Sequence, residues 1–187
     1  MDDDEKGFFE KFASFSPKLL SRVGQMENRN SRILKILTQA KQQRQTLAFA
    51  CDVNQAKLLA HNWRKWKNRN GLSPISAQAI TAETPKNQRD QWIHEFCTGK
   101  IQALVNVGVL TTGFDAPNIE QIIMARPTTS RVLYEQMIGR GLRGPKFGGT
   151  DKCIIVDFAD CFENFGEPKA FSAFEKDWLQ GKRIASQ

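Results

Sequence analysis

Three long polar side chains, Gln136, Arg140 and Arg143, sit four and three positions apart in the stretch YEQMIGRGLRG, Tyr134 to Gly144. On a helix of about 100° per residue, Arg140 falls about 40° to one side of Gln136 and Arg143 about 20° to the other. An amide and two guanidinium groups then share one narrow face. Tyr134, Met137, Ile138 and Leu142 fall on the opposite side, as the apolar stripe of an amphipathic helix. Two arginines on one face repel each other unless an anion lies between them. Guanidinium groups grip phosphate oxygens with two parallel N–H donors, so phosphate binding is the chemistry this face offers. The stretch also carries Gly139, Gly141 and Gly144, and an interior glycine costs a helix about 1 kcal/mol relative to alanine. Gly139, beside the polar face, would let a ligand or another backbone approach closely. A solvated arginine face with incidental glycines fits the same spacing.

A second constellation is LTTGFDAP, Leu110 to Pro117. Gly113 permits a tight turn, Asp115 offers a carboxylate to a ribose hydroxyl, and Thr111 and Thr112 offer hydroxyls to phosphate. Taken alone, these residues read as an ordinary turn.

The elements that must position both stretches are legible as apolar runs and caps. TLAFA (46–50), ISAQAI (75–80), QALVNV (102–107), QIIMA (121–125) and KCIIVDF (152–158) read as strands. Their continuous apolar character implies burial on both faces, the mark of a parallel sheet between helices. Asn30 or Ser31 is expected to cap a helix carrying Ile33, Leu34, Leu37 and Ala40. Asp52, with Gln55 in the reciprocal position, caps a helix that stops near Gly71. Thr84 caps the next, with Pro85 at its first position and Gly99 after its end. A last helix is expected over roughly 131–143. The fold class is α/β, and ligands on such sheets bind at the carboxyl ends of the strands. The loops after TLAFA and after QALVNV both lie at that edge. Residues 1–28 carry Phe8, Phe9, Phe12 and Phe15 without a clean period and read as a linker or a segment that docks elsewhere. Residues 29–160 form the domain, and 161–187 a C-terminal extension.

Composition narrows the class. The chain has 187 residues, 40% hydrophobic and 25% charged, values of an ordinary globular domain. No apolar run reaches the length of about 18 residues that suggests a membrane span. The acidic start MDDDEKGFFEKF lacks a signal-peptide core, so an intracellular, cytoplasmic location is expected. Cys51, Cys97, Cys153 and Cys161 form no CxxC pair, and His61 and His94 lie away from any such pair, so no metal site is expected. The net charge of +7 is uneven: residues 18–69 hold twelve Lys and Arg against Glu27 and Asp52. That block suits a polyanion partner or a solvated helix face.

Together the two stretches are specific. TTGFDAP followed by QMIGRGLRG closely resembles motifs V and VI of superfamily 2 helicases. The likeness is to the second RecA-like domain of the branch with DNA-repair helicases and restriction-enzyme motor subunits, and it covers about residues 30–160. TLAFACDVNQAKLLA resembles the motif IV region, and ITAETPKNQRDQWIHEF the segment after it, whose helix bears an Arg matched by Arg89. The family often has Gln where Lys86 stands and the branch commonly has Glu where Thr112 stands. The resemblance implies a RecA-like three-layer sandwich with a mostly parallel central sheet. It implies that two such domains clamp ATP and Mg2+ between them and nucleic acid, DNA favoured, across their tops. Arg140 and Arg143 then resemble arginine fingers, and Gln136 the residue coupling the γ-phosphate or attacking water to the helix. Gly113 and Asp115 resemble positions at the nucleotide sugar. Thr111, Lys86, Arg89 and the backbone near Asp52 would face the nucleic-acid strand.

No GxxxxGK[ST] occurs in the 187 residues, nor a DExx-type acidic box after a strand. Those features belong to the first RecA-like domain, which would hold most of the ATP and Mg2+. The expectation is the carboxyl-terminal half of a motor, inactive as an ATPase alone. Segment 1–28 would be the stretch that joined or packed on the other half. A non-catalytic basic nucleic-acid-binding module is the alternative, and an α/β enzyme using Asp115 or Asp157 as acid or base is the third reading.

Overall fold

A computed structural model describes residues 2–12, 14–39, 44–69, 76–110, 116, 118–141, 149–150 and 152–158. The elements run α1 (Asp3–Phe12), α2 (Pro17–Gly24), α3 (Glu27–Gln39), β1 (Thr46–Phe49), α4 (Val53–Arg69), β2 (Ser76–Ile80), α5 (Lys86–Cys97), β3 (Ile101–Asn106), β4 (Gln121–Met124), α6 (Arg131–Ile138) and β5 (Ile154–Asp157). The five strands form one sheet in the order β2-β3-β1-β4-β5. All four strand pairs are parallel. Every residue of β1, β3 and β4 is buried, which is why these strands read as unbroken apolar runs rather than alternating ones.

The pleat sends successive side chains to opposite faces and splits the core in two. Ala48, Val105 and Ile123 join Leu19 and Val23 of α2, Ile33 and Leu37 of α3, and Leu59 and Trp63 of α4. Leu47, Phe49, Leu104, Ile122 and Met124 join Phe96 of α5 and Tyr134, Met137 and Ile138 of α6. Helices, sheet, helices: this is the three-layer RecA-like α/β sandwich. Each buried Leu, Ile or Phe contributes roughly 1.5–3 kcal/mol, so both outer layers are tied to the strands that carry the loops.

Within segment 1–28 the chain forms α1 and α2. Asp2 and Glu5 form a reciprocal cap on α1, with Asp2 Oδ1 accepting from the Glu5 N–H at 2.9 Å and Glu5 Oε2 from the Asp2 N–H at 3.0 Å. Ser16 caps α2, its Oγ accepting from the Leu19 N–H at 3.1 Å, with Pro17 in the first turn. The ion pairs Lys18–Asp2 at 3.1 Å and Arg22–Glu5 at 3.0 Å join the two helices. Leu19, Leu20 and Val23 are buried, so the surface this segment docks on is the chain's own core. The two helices are short, 10 and 8 residues, and their joining contacts are 16 and 17 residues apart in sequence.

Other boundaries also shift. α3 begins at Glu27, so neither Asn30 nor Ser31 caps it. Asn30 is buried inside the helix, its Nδ2 donating to the Gly24 carbonyl at 2.8 Å and its Oδ1 accepting from Gln55 Nε2 at 2.8 Å. Tertiary hydrogen bonding claimed a residue whose type suggested a cap. α5 begins at Lys86, after Pro85, and the Thr84 hydroxyl accepts from the Thr81 N–H at 3.0 Å instead of capping the helix. The expected Gly71 stop and the 161–187 extension lie outside the described residues.

Candidate functional site

At the carboxyl end of β1, Asp52 caps α4, with Oδ1 accepting from the Gln55 N–H at 2.8 Å. The reciprocal bond differs by one residue from the expected capping box. Gln55 Oε1 accepts from the N–H of Cys51, not of Asp52, at 2.8 Å. Beside it, β3 ends in Asn106, fully buried, whose Oδ1 accepts from the N–H groups of Val109 and Leu110, both at 3.0 Å. Asn106 thereby sets the turn that launches the LTTGFDAP loop, with Gly108 at φ +69° inside it. An Asn ending an apolar run was the sequence signal for this role. Thr111, Thr112, Gly113 and Asp115 themselves lie outside the described residues.

At the end of β2, residues 81–85 fold into a turn braced from α5. Arg89 donates through Nη2 to the Thr84 carbonyl at 3.1 Å, so part of its donor set is internal. Lys86, at the start of α5, is exposed. Behind this turn a groove of about 310 Å³ runs between α4 and α5, lined by Lys57, Arg64, Thr84 and Trp92 among others.

α6 carries the expected amphipathic pattern over its first turns. Ser130 caps it, Oγ accepting from the Leu133 N–H at 3.2 Å. Tyr134, Met137 and Ile138 are buried, while Gln136 is half-exposed. The helix stops at Ile138, short of the expected 143, and Gly139 is its C-cap. The next N–H groups reach back only three residues, Arg140 to Met137 at 3.4 Å and Gly141 to Ile138 at 3.0 Å. This is a tighter, 3₁₀-like turn. Arg140 therefore stands on a tightened exit, half-buried, not on the regular helical wheel assumed from spacing. Arg143 lies outside the described residues.

The glycine that needs close approach is Gly141 rather than Gly139. A Cβ on Gly141 would collide with the Cys153 sulfur and stand 2.9 Å from Ile122 Cδ1. Gly139 is exposed, and a Cβ there would meet only its own helix, at 2.9 Å from the Glu135 carbonyl oxygen. The close contact is with the chain's own sheet, not with a ligand. α6 is further tied to β5 by Tyr134, whose hydroxyl donates to Asp157. Burial, then the Asp157 charge and this hydrogen bond, push Tyr134 up to about 12. Asp157 also accepts from the Phe158 N–H at 2.8 Å, so it braces the fold instead of standing as a free acid or base. Burial, with Glu120 nearby, pushes the Cys153 thiol up to about 11.

Two arginines were not singled out from sequence. Arg29 is buried, donates to the Ala125 carbonyl through Nε at 3.3 Å and Nη2 at 2.7 Å, and lies 4.9 Å over the Phe158 ring. Arg126 follows β4 directly and is half-buried. Burial holds its guanidinium below the usual arginine value, with the neighbouring Cys51 thiol opposing. An arginine closing a buried apolar run was the available signal.

Much of the basic block is spent internally. Lys18, Arg22 and Lys57 pair with carboxylates, and Arg64 donates to the Ala77 carbonyl at 2.8 Å on the edge strand. Among the described residues no cluster of three His, Cys, Asp or Glu could hold a metal ion, and no helix is long and apolar enough to cross a membrane.

Comparison with known proteins bears on this geometry. Residues 28–144 match the family described as Helicase conserved C-terminal domain. The chain is 37% identical over 142 residues to IRC3 of Saccharomyces cerevisiae, named as an ATP-dependent helicase; the match takes in 74% of this chain and 19% of that protein. The chain thus spans about a fifth of the length of that relative. The helicase MrfA, solved bound to DNA and AMPPNP, resembles it with a TM-score of 0.62 at 15% identity, over 81% of this chain and 20% of that one. The C-terminal domain of the DEAD-box protein Dbp5 resembles it with a TM-score of 0.60 at 14% identity, over 84% of this chain and 82% of that one.

Proposed function

The chain belongs to the helicase C-terminal domain family, and we propose that it works as the carboxyl-terminal half of an ATP-driven nucleic-acid helicase or translocase, acting on DNA. The observation that carries this reading is α6: its apolar side is locked into the sheet while Gln136 and Arg140 remain half-exposed. A partner RecA-like domain bearing the phosphate-cradling GxxxxGK[ST] loop would complete the site.

The residues here suit the anionic end of a triphosphate rather than its metal. Gln136, Arg140 and Arg143 are an amide and two cations, with no carboxylate cluster among the described residues to hold Mg2+. ATP, when bound between the domains, supplies the γ-phosphoryl group whose transfer to water drives the motor. Arg140 and Arg143 then stabilise the charge that grows on the transferred group, and Gln136 orients its neighbourhood. Asp115 and Gly113 approach the nucleotide sugar. Thr111, Lys86, Arg89 and the backbone near Asp52 face the strand, with contacts mostly to phosphates and so independent of sequence. Alone, this half adds cations but no phosphate cradle, and its ATPase is negligible.

The test is reconstitution with a P-loop-bearing partner domain and measurement of nucleic-acid-stimulated ATPase. Arg140→Ala lowers turnover by roughly 10³-fold, on arginine-finger magnitudes. A variant rate within about threefold of wild type removes the finger assignment.

A further inference from the structure

Three arginines packed against the fold are held by the chain's own atoms. Arg22 meets the buried Glu5 carboxylate at 3.0 Å, Arg29 is held by the Ala125 carbonyl and the Phe158 ring, and Arg64 by the Ala77 carbonyl and Gln78. Arg126 is different. Its backbone is fixed, the N–H donating to the Phe49 carbonyl at 2.8 Å, which places it just past the paired residues Phe49 and Met124 at the carboxyl edge of the sheet. Its side chain is half-buried beside Cys51. Among the described residues, no carboxylate, carbonyl or ring is recorded against its guanidinium. A partly desolvated cation without a partner costs free energy, and the fold keeps one at the edge where ligands of such sheets bind.

We propose that Arg126 is a phosphate-binding residue, its guanidinium fork at the carboxyl end of β4 taking a phosphate oxygen from outside the chain. This rests on the nucleic-acid motor reading above but adds a residue outside the two motif stretches. The shared chemistry is a phosphate oxyanion held by two parallel N–H donors. A polynucleotide backbone and a nucleoside triphosphate both present it. Because the unliganded chain gains nothing from this charge, removing it leaves stability unchanged or raises it, which a structural arginine would not do.

The test compares Arg126→Gln and Arg126→Lys with the wild-type 187-residue chain. Thermal melting is read first, then binding of a fluorescein-labelled DNA oligonucleotide by anisotropy over about 50–200 mM KCl. The KM for ATP is read in the reconstituted motor. For Arg126→Gln, the expected result is a Tm equal to or above wild type and a log–log salt slope shallower by about one. Arg126→Lys keeps the slope but binds several-fold more weakly, having lost the fork. A raised KM with an unchanged oligonucleotide slope assigns the phosphate to the nucleotide instead. Unchanged DNA binding and unchanged KM overturn the proposal while leaving the motor reading standing. So does a Tm drop of more than about 5 °C, which would make Arg126 structural. A wild-type chain that binds no oligonucleotide and supports no ATPase on reconstitution overturns both.

Discussion

The carboxyl ends of β1 and β4 lie side by side, Phe49 paired with Met124, yet they treat their polar groups in opposite ways. At the β1 end the polar atoms close on one another. Gly24 takes the Asn30 amide, Asn30 takes the Gln55 amide, Gln55 takes the Cys51 N–H, and Asp52 takes the Gln55 N–H, every bond at 2.8 Å. At the β4 end, Arg126 has a fixed backbone and a guanidinium for which the described residues provide no partner. Residue type alone would rank Asp52 and Arg126 alike, as charged side chains on the ligand edge. The hydrogen bonds separate them: a polar group consumed by the fold is scaffold, and one left open is available to a ligand. The exit of α6 combines both. Tyr134 and Gly141 pack against the rest of the fold, while Gln136 and Arg140 are only half-buried.

The most severe break falls at the exit of α6. Arg140→Ala in the reconstituted motor removes about 10³-fold in turnover. Next comes the closed side. Gln55 is 1% exposed and serves both Cys51 and Asn30. Gln55→Ala strands a buried N–H and a buried carbonyl oxygen, at a cost of about 2–4 kcal/mol. Chemical denaturation measures it, and the salt slope of oligonucleotide binding by the folded fraction stays as in wild type. If Gln55→Ala changed that slope while Arg126→Gln did not, the assignment of scaffold and ligand sides would be reversed.

The sheet was legible because buried parallel strands need apolar residues at every position, and all five runs became strands within about two residues of their expected ends. The charge chemistry of α6 was legible because Tyr134, Met137 and Ile138 repeat at helical spacing. Its exit was not. Spacing assumes a regular helix, whereas Gly139 and Gly141 end it early, and the reason for Gly141 lies in Ile122 of β4 and in Cys153, just before β5. The α1–α2 pair was hidden for a similar reason, since contacts such as Arg22–Glu5 leave no periodic trace. Gly141→Ala tests the point. Overpacking against the sheet destabilises by about 1–3 kcal/mol, whereas Gly139→Ala presses only on the Glu135 carbonyl oxygen of its own helix, at 2.9 Å, and so reports the cost of the turn alone. A negligible cost at Gly141 would mean that the sheet contact does not demand the glycine.

The smallest effect concerns how α6 is fastened. Tyr134 binds its proton more tightly folded than unfolded, with a value near 12 against an ordinary 10.0, first because it is buried and then because Asp157 lies against it. Cys153 behaves likewise, near 11 against 9.0. A raised folded value means stability is fully present below the unfolded value and is lost as pH rises toward the folded one. Stability from these two groups therefore holds to about pH 9. It falls between about 9 and 11 through Cys153 and between about 10 and 12 through Tyr134. Tyr134→Phe costs about 1 kcal/mol at neutral pH from the lost hydrogen bond to Asp157. It also makes the fall between about pH 10 and 12 shallower, by up to one proton. Cys153→Ala flattens the fall between about pH 9 and 11 and leaves the part above about pH 11 alone. Urea denaturation across this range distinguishes them. If Tyr134→Phe keeps the wild-type slope above pH 10, the α6–β5 fastening does not run through this hydroxyl, and burial of Met137 and Ile138 alone would have to hold the Arg140 turn in place.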